Sequence, residues 1–195
     1  MHSNDIPIFP LRVVLYPGGP LPLRIFEPRY VDMVSHCMRN TSSFGVVAVQ
    51  EDSRGGSSRI FGVGTAARIV DFDLGEDGLL SIRTLGEKRF RIESMSKKAD
   101  GLDLAHVSWL DPEPVIAVPE SLEYLSTVVM GLLEEFDQLY GDIPMRPKDS
   151  SWLGYRLAEL LPLPIAQKQL YLELEDPVAR LQQLARDVSQ LRSDA

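Results

Sequence analysis

Five prolines near the start of the chain restrict its fold more than any other feature of the sequence. The five are Pro7, Pro10, Pro17, Pro20 and Pro22. They lie within or beside two apolar runs, residues 6–11 and 21–26, that flank the turn-forming segment Pro17-Gly18-Gly19-Pro20. A proline fixes φ and has no N–H to donate, which excludes a helix and confines prolines in sheets to edges, strand starts and bulges. We therefore expect two extended edge segments, followed by a helix that begins at Pro28.

The composition is that of a soluble globular protein, with 44% hydrophobic and 25% charged residues in a chain of 195. No run approaches the ~20 apolar residues that span a bilayer, and the N-terminus lacks the basic and apolar regions of a signal peptide. The single cysteine, Cys37, allows no internal disulfide. We therefore expect a cytoplasmic protein without membrane contact.

The net charge of −8 comes from the second part of the chain. Residues 1–110 contain 13 basic and 13 acidic residues, whereas residues 111–195 contain 7 and 15. Binding to nucleic-acid phosphates depends on Lys and Arg, so this balance argues against nucleic acid as a partner.

Alternating apolar runs joined by short turns predict a β-rich first part. Apolar side chains at every third or fourth position of residues 28–40 indicate an amphipathic helix with Cys37 in the core. A hairpin is expected at Asp77-Gly78 and a second turn at Gly86-Glu87, and residues 51–59 have the composition of a polar loop. About six strands with one inserted helix fit a small closed or nearly closed β-barrel. Beyond the first two segments, the expected strands are residues 44–50, 60–72 (one long strand or two short ones), 79–85, 89–95 and 105–110.

The second part is helical in pattern and follows a Pro-spaced linker at residues 111–119. Apolar positions from residue 122 to 139 predict one long amphipathic helix. Further helices are expected at residues 150–161 and 165–172, and a last one begins with Asp176 as N-cap and Pro177 at N1. The sequence thus predicts an α+β protein with a β-rich subdomain at residues 1–113 and a helical bundle at residues 114–195.

Several short motifs resemble cofactor or metal sites but are better explained as parts of strands and turns. Residues 62–67, GVGTAA, have the spacing of a dinucleotide fingerprint, yet the alternating, β-branched residues that follow predict a strand where that fingerprint needs a helix. Residues 71–75 open like a calcium loop but lack its later acidic ligands. His2, His36 and His106 show no ligand spacing. We predict no catalytic residues, no cofactor and no metal site.

The most basic stretch is the group Arg83, Lys88, Arg89 and Arg91. Strand alternation places Arg89 and Arg91 on one solvent face, with Phe90 on the opposite face. Stacking aromatics beside the arginines would indicate single-stranded nucleic acid, and Phe90 points away. A solvated strand face is the favoured interpretation, with an RNA-binding barrel as the alternative.

Taken together, the segments of this chain resemble the LON substrate-binding domain, the amino-terminal domain of the ATP-dependent protease Lon. The resemblance begins with IPIFPLRVVLYPGGPLPLRIFEPRY at residues 6–30 and continues through FGVVAVQ, GVGTAARIVDF, LGEKRFRIES and AHVSWL to AELLPLPIAQKQLYLELEDPVARLQQL. It implies a PUA-like pseudo-barrel followed by a helical bundle, and recognition of proteins or exposed peptide segments, as in Lon and relatives such as cereblon. Lon's ATPase and Ser–Lys peptidase modules have no counterpart in these segments, so we expect a stand-alone, non-catalytic member.

Three functions follow from these observations. We favour a binding module for unfolded or specific protein partners, acting as an adaptor in protein quality control with a separate protease as a candidate collaborator. RNA binding through the barrel and an enzyme or small-molecule binder are the alternatives, and the oligomeric state is open. The expected peptide site is a groove between barrel and helices, although Phe26 and Tyr30 also suit the core and Glu27 suits a helix cap. Its predicted residues are Arg24, Phe26, Glu27, Arg29 and Tyr30.

Overall fold

The computed structural model describes residues 4–50, 58–75, 77–141 and 143–193 of the chain. It divides the chain into two compact units, Met1–Asp111 and Pro112–Ala195. Of the polar loop expected at residues 51–59, only residues 58 and 59 are among those described. Within the described ranges, no helix is both long and apolar enough to cross a membrane.

The first unit is a six-stranded sheet that closes on itself, with one helix inserted after the second strand. The strand order is β2-β5-β4-β3-β1-β6, and β6 also pairs with β5, which closes the barrel and leaves β2 attached outside the closed ring. The prediction of about six strands and one inserted helix is confirmed, although the expected strands at residues 79–85 and 89–95 are parts of the single strand β5. The elements are β1 (Asp5–Leu11), β2 (Pro20–Ile25), α1 (Pro28–Asn40), β3 (Phe44–Gln50), β4 (Arg59–Leu74), β5 (Leu80–Lys97) and β6 (Asp103–Trp109).

The edge prediction is confirmed for β2 and wrong for β1. Among the described residues β2 pairs with β5 alone, but β1 lies between β3 and β6. Its two partners are staggered: β6 pairs with residues 5–8 and β3 with residues 8–11. Pro7 therefore lies where only β6 pairs and Pro10 where only β3 pairs, so the side of each proline away from its partner needs no ladder N–H. Staggered pairing lets an interior strand carry two prolines.

The turn predicted at Gly86-Glu87 is also wrong, because β5 runs without a break from Leu80 to Lys97. Gly86 instead allows a close backbone approach. Its N–H donates to the Gly19 carbonyl at 2.9 Å and its own carbonyl accepts from the Gly18 N–H at 2.8 Å. A Cβ at this position would collide with the Tyr16 carbonyl oxygen. This glycine fixes the Pro17–Pro20 turn against the middle of β5 rather than ending the strand.

Helix α1 packs its apolar face into the core of the first unit. Tyr30, Met33, Val34 and Cys37 are buried in one cluster with side chains from β2, β3 and β5. Cys37 is 1% exposed, and burial raises the pKa of its thiol, as expected for a core residue. The GVGT motif lies inside β4, where a Cβ on Gly64 would meet the Val46 carbonyl and Val47 of β3. It is a strand segment, as predicted.

The described residues of the second unit form helices and one isolated β-bridge. The long helix expected at residues 122–139 is wrong, because the chain is interrupted around Phe136. Glu134 and Glu135 lie at the C-terminal end of the first piece, where the helix dipole disfavours acids, while Asp137 opens the next piece, where the dipole favours one. The Asp176 cap is confirmed: its Oδ1 accepts from the N–H groups of residues 178 and 179 at 2.8 and 3.1 Å. The helices are α2 (Tyr124–Glu134), α3 (Asp137–Tyr140), α4 (Ser150–Leu160), α5 (Ile165–Glu173) and α6 (Pro177–Ser193), preceded by a 3-10 turn at Glu120–Leu122.

Residues 112–118, which we expected to be part of a linker, are instead attached to the helices of the second unit. The Glu113 carboxylate accepts from Arg180 Nη1 of α6 at 2.9 Å and from the Ser151 hydroxyl of α4. The Val118 N–H donates to the Lys148 carbonyl at 3.1 Å, and Ala117 forms a β-bridge with Asp149. The Pro spacing indicated a linker and could not reveal that Glu113 binds Arg180 in a buried ion pair.

Candidate functional site

A cavity of about 520 Å³ opens in the first unit beside β1, β2 and the start of α1. All five sequence-predicted site residues line it, together with residues of β1 and β3, the last residue of β5 and the first residue of β6. We call it the β1–β2 cavity. Its lining belongs entirely to the first unit, and the groove expected between barrel and helical bundle stays a prediction.

The junction between β2 and α1 brings four of the five residues together. The chain leaves β2 at Ile25, and Glu27 adopts an extended conformation (φ −81°, ψ 130°) because the next residue is Pro28. Pro28 begins α1, as predicted. Glu27 occupies the N-cap position without a side-chain cap bond, so the expected capping role is wrong. Its carboxylate pairs instead with Arg29 Nη2 at 2.7 Å.

The two aromatic residues of the site have opposite environments. Tyr30 is buried, as expected for a core residue, and its ring stacks on Phe9 with centroids 4.0 Å apart. Phe26 is 71% exposed, so the alternative that placed it in the core is wrong. Ile25, next to it, takes the buried position, and successive side chains of an extended chain point to opposite sides. The cavity therefore has an aromatic wall and a solvent-exposed phenyl ring beside it.

Arg29 is held in place by three neighbours. Its Nη1 donates to the Gly101 carbonyl at 2.9 Å, its Nη2 pairs with Glu27, and its guanidinium carbon lies 4.8 Å from the Tyr30 ring centroid. Desolvation opposes the charge of Arg29, but the nearby Tyr30, Glu27 and Asp103 outweigh it and raise the pKa of the guanidinium. Arg29 is thus a fixed cation with an ordered orientation.

Two further cations of the lining, both mostly exposed, form ion pairs. Arg24 on β2 has 64% of its side chain exposed and pairs with Asp77 at the tip of the β4–β5 hairpin. Lys97 at the end of β5 pairs with Asp103 at the start of β6, at 2.8 Å. Pairs of this kind contribute little to stability because water screens them. They remain available to exchange partners with a ligand.

The arrangement of these side chains suits binding. Apolar and aromatic walls with a few charged groups are typical of ligand cavities of ~300–1,000 Å³. Within the described ranges, no three His, Cys, Asp or Glu side chains are grouped so that they could hold a metal ion. His106 pairs with Asp5 at 2.8 Å on the surface of the first unit, and neither residue lines the cavity.

The basic group on β5 does not form the predicted solvent face. Arg89 is 5% exposed, whereas Arg91 is exposed. Phe90 is fully buried, as alternation predicted. A period of two predicts the face on which a side chain lies, but not whether another part of the chain covers that face.

Comparison with known proteins places this geometry in a family. A family model described as the substrate-binding domain of the ATP-dependent protease La (LON) matches residues 5–188. The chain belongs to the LON substrate-binding domain family. The expected fold, a PUA-like pseudo-barrel with one inserted helix followed by a helical bundle, is confirmed.

Solved structures of this family share the fold of the chain. A crystal structure of a Lon N-terminal domain protein from Xanthomonas campestris is 37% identical, with a TM-score of 0.78 over 93% of this chain and 97% of that one. The N-terminal domain of a Lon protease from the Mycobacterium avium complex is 18% identical and has a TM-score of 0.62 over 92% of this chain and 95% of that one. At that identity, the second likeness shows the fold alone.

Curated relatives of this LON-family chain are much longer than the chain itself. Lon protease 2 of Myxococcus xanthus is 29% identical over 186 residues, which are 90% of this chain and 22% of the relative. Cereblon of Danio rerio is 32% identical over 127 residues, 61% of this chain and 29% of the relative. The chain thus spans between about a fifth and a third of each of these proteins.

Proposed function

We propose that this LON-family protein is a non-catalytic module that recognises exposed segments of other proteins through the β1–β2 cavity. The observation that carries the proposal is the exposed Phe26 ring beside a largely apolar cavity lined by all five predicted residues. A large aromatic side chain left in water costs solvation free energy unless a partner covers it, and such residues are enriched in recognition sites. The family's description as a substrate-binding domain supports the same role.

The backbone of β2 favours recognition by side chains over strand addition. In an antiparallel pair, every second residue turns its N–H and C=O groups toward the partner strand. Pro20 and Pro22 stand opposite Leu85 and Arg83 of β5, and a proline has no N–H to give. We infer that these prolines and Arg24 turn their backbone groups away from β5, which leaves the outer edge with several acceptors and only the Arg24 N–H as a donor. An added strand would find few donors there.

An adaptor role in protein quality control is the finer form of the proposal. Several relatives are named as Lon proteases, and the chain aligns with about a quarter of their length. A separate protease, or further domains of the same system, would then receive what the cavity binds. RNA binding through the basic group of β5 loses support, because Arg89 of that group is buried.

The test measures equilibrium binding of the purified protein to a fluorescent, permanently unfolded polypeptide and, in parallel, to a single-stranded RNA of similar length. We expect saturable polypeptide binding and none to the RNA. Phe26→Ala should weaken polypeptide binding about tenfold, equal to about 1.4 kcal/mol. Phe136→Ala, which removes another exposed phenyl ring in the second unit, is the matched control and should bind like wild type.

Two results would overturn the proposal. The first is binding to RNA alone. The second is polypeptide binding that Phe26→Ala leaves unchanged, or that both phenylalanine variants weaken equally, because the β1–β2 cavity would then not be the site.

A further inference from the structure

The charge of the β1–β2 cavity is opposite to that of the whole protein. Among the residues that the structure describes, four of those lining the cavity are basic and two are acidic, in a chain with a net charge of −8. The basic residues are Arg12, Arg24, Arg29 and Lys97, and the acidic ones are Glu27 and Asp103. The remaining lining residues are apolar or aromatic. A locally basic, apolar cavity on an acidic protein selects for a ligand that carries both acidic and apolar groups.

We propose that the segments recognised here carry acidic residues next to their apolar anchors. This inference rests on the proposed function and names its substrate class: an extended peptide with aromatic or aliphatic side chains for the cavity and Asp or Glu beside them for the arginines. A segment with basic flanks would place like charges against the rim and be disfavoured.

The two arginines of the predicted site differ in how firmly their side chains are held. Arg29 is already oriented by Glu27 and the Gly101 carbonyl, so little side-chain entropy is lost when it meets a carboxylate. Arg24 is mostly exposed and is the more adaptable of the two. A planar guanidinium can bind a carboxylate through two parallel N–H···O bonds, which a lysine cannot.

The ion pair with Asp77 shows that Arg24 can bind a carboxylate. The carboxylate at the tip of the β4–β5 hairpin pairs with Arg24, and so occupies one position where an acidic ligand group would bind. Both side chains are exposed, so the pair contributes little and can be exchanged. Asp77 also accepts from the Leu79 N–H through Oδ1 at 3.1 Å, an interaction that an asparagine oxygen preserves. Asp77→Asn therefore removes the competing charge and keeps the turn.

The experiment uses three synthetic peptides that share one central aromatic and aliphatic core and differ only in their flanks. The flanks are Asp/Glu, Asn/Gln or Lys, and dissociation constants are measured by fluorescence anisotropy. We expect the acidic peptide to bind five- to tenfold more tightly than the neutral one and the Lys peptide to bind most weakly. The advantage of acidic flanks should shrink as salt is raised, because exposed charges are screened over about 8 Å at 0.15 M.

Three variants locate the effect. Arg24→Ala should abolish most of the preference for acidic flanks. Asp77→Asn should tighten binding of the acidic peptide two- to fivefold without changing the neutral one. Arg91→Ala, which removes an exposed arginine of β5 outside the lining, is the control and should leave all three affinities unchanged.

Three outcomes separate this inference from the proposed function. Equal binding of the three peptides, with Phe26→Ala still weakening all of them, would overturn the acidic preference and leave the recognition function intact. A preference that Arg24→Ala and Arg91→Ala reduce alike would overturn the assignment of the preference to this cavity. Failure of all three peptides and of the unfolded polypeptide to bind would overturn both proposals.

Discussion

Arginine–carboxylate pairs occur in both units, but their surroundings differ completely. At the β1–β2 cavity, Arg24 is mostly exposed and pairs with a single hairpin carboxylate. In the second unit, Arg180 is fully buried and its ion pair with Glu113 is covered by protein. The same chemical pair is exchangeable at the first place and fixed at the second. Burial, rather than residue type, decides whether such a pair is available for binding or serves the scaffold.

Several hydrogen bonds surround the buried pair of Arg180 and Glu113. Arg180 donates to both Glu113 oxygens, to the Tyr171 carbonyl at 2.7 Å and to the Leu174 carbonyl, and its guanidinium lies 4.1 Å from the Tyr155 ring centroid. The Tyr155 hydroxyl also donates to Glu113. Desolvation opposes the charge of Glu113, but Arg180 and the two hydroxyl donors outweigh it and lower the pKa of the carboxyl. Such a network joins the segment before the helices to α4, α6 and the end of α5.

The largest expected effect tests whether the buried Glu113–Arg180 pair stabilises the fold. Glu113→Ala leaves Arg180 buried without its carboxylate, and breaking a buried pair in this way costs about 3–5 kcal/mol. Urea unfolding followed by circular dichroism should show this loss in the free energy of unfolding. A cost below about 1 kcal/mol would mean that water enters the network freely, and the contrast with the cavity would disappear.

The next effect tests whether Arg24 and Arg29 contribute to binding rather than to stability. Replacing Arg24 and Arg29 together with Ala should weaken binding of the unfolded polypeptide about tenfold, or about 1.4 kcal/mol. The melting temperature should stay nearly unchanged, because both side chains are partly exposed and their ion pairs are screened. If stability falls in step with affinity, these arginines belong to the scaffold like Arg180.

Acid should weaken the buried Glu113–Arg180 pair. The pKa of Glu113 is lowered in the folded state from an ordinary value of 4.5, so the folded state binds its proton less readily than the unfolded state. Its stabilisation is therefore present above the ordinary pKa and is lost as pH falls through the lower, folded pKa. Glu113→Gln should make stability fall less steeply with acid over this range, because an amide does not take up the proton. The comparison is made by urea unfolding at pH 7 and at several values below pH 4.5; identical acid dependence in wild type and Glu113→Gln would contradict it.

The smallest effect concerns an exposed pair outside the cavity. Arg68 and Glu87 form an ion pair at 2.9 Å between β4 and β5. Arg68→Ala should change the free energy of unfolding by less than about 0.5 kcal/mol and leave peptide binding unchanged. A loss comparable to that of Glu113→Ala would show that exposure is a poor guide to the strength of these pairs.

Local patterns predicted the parts of this fold that depend on neighbouring residues. Helix α1 begins at Pro28 and ends at Asn40 as its periodicity indicated, and the β4–β5 hairpin turns at Asp77-Gly78. The five site residues are close in sequence, and the β2–α1 junction keeps them close in space. Their common location at one cavity could therefore be predicted from the sequence.

Several of the errors involve contacts between residues distant in sequence. The interior position of β1 depends on strands that begin about 40 and 100 residues later. The continuity of β5 depends on the approach of a distant turn to Gly86, and the burial of Arg89 on what covers that face. Glu113 precedes its partner Arg180 by 67 residues, so the Pro-rich stretch around Glu113 gave no sign of their ion pair. No periodicity carries such information.

The staggered pairing of β1 also has a consequence for synthesis on the ribosome. The first strand of the chain needs the last strand of the barrel, β6, as its antiparallel neighbour. At about 5–20 residues per second, the roughly 100 residues between them take on the order of 5–20 seconds to be made. During that interval the barrel cannot close, and Ile6 and Ile8 of β1 lack the cover that Ala105 and Val107 of β6 provide. We therefore expect the nascent first unit to depend on chaperone protection until Trp109 has left the exit tunnel.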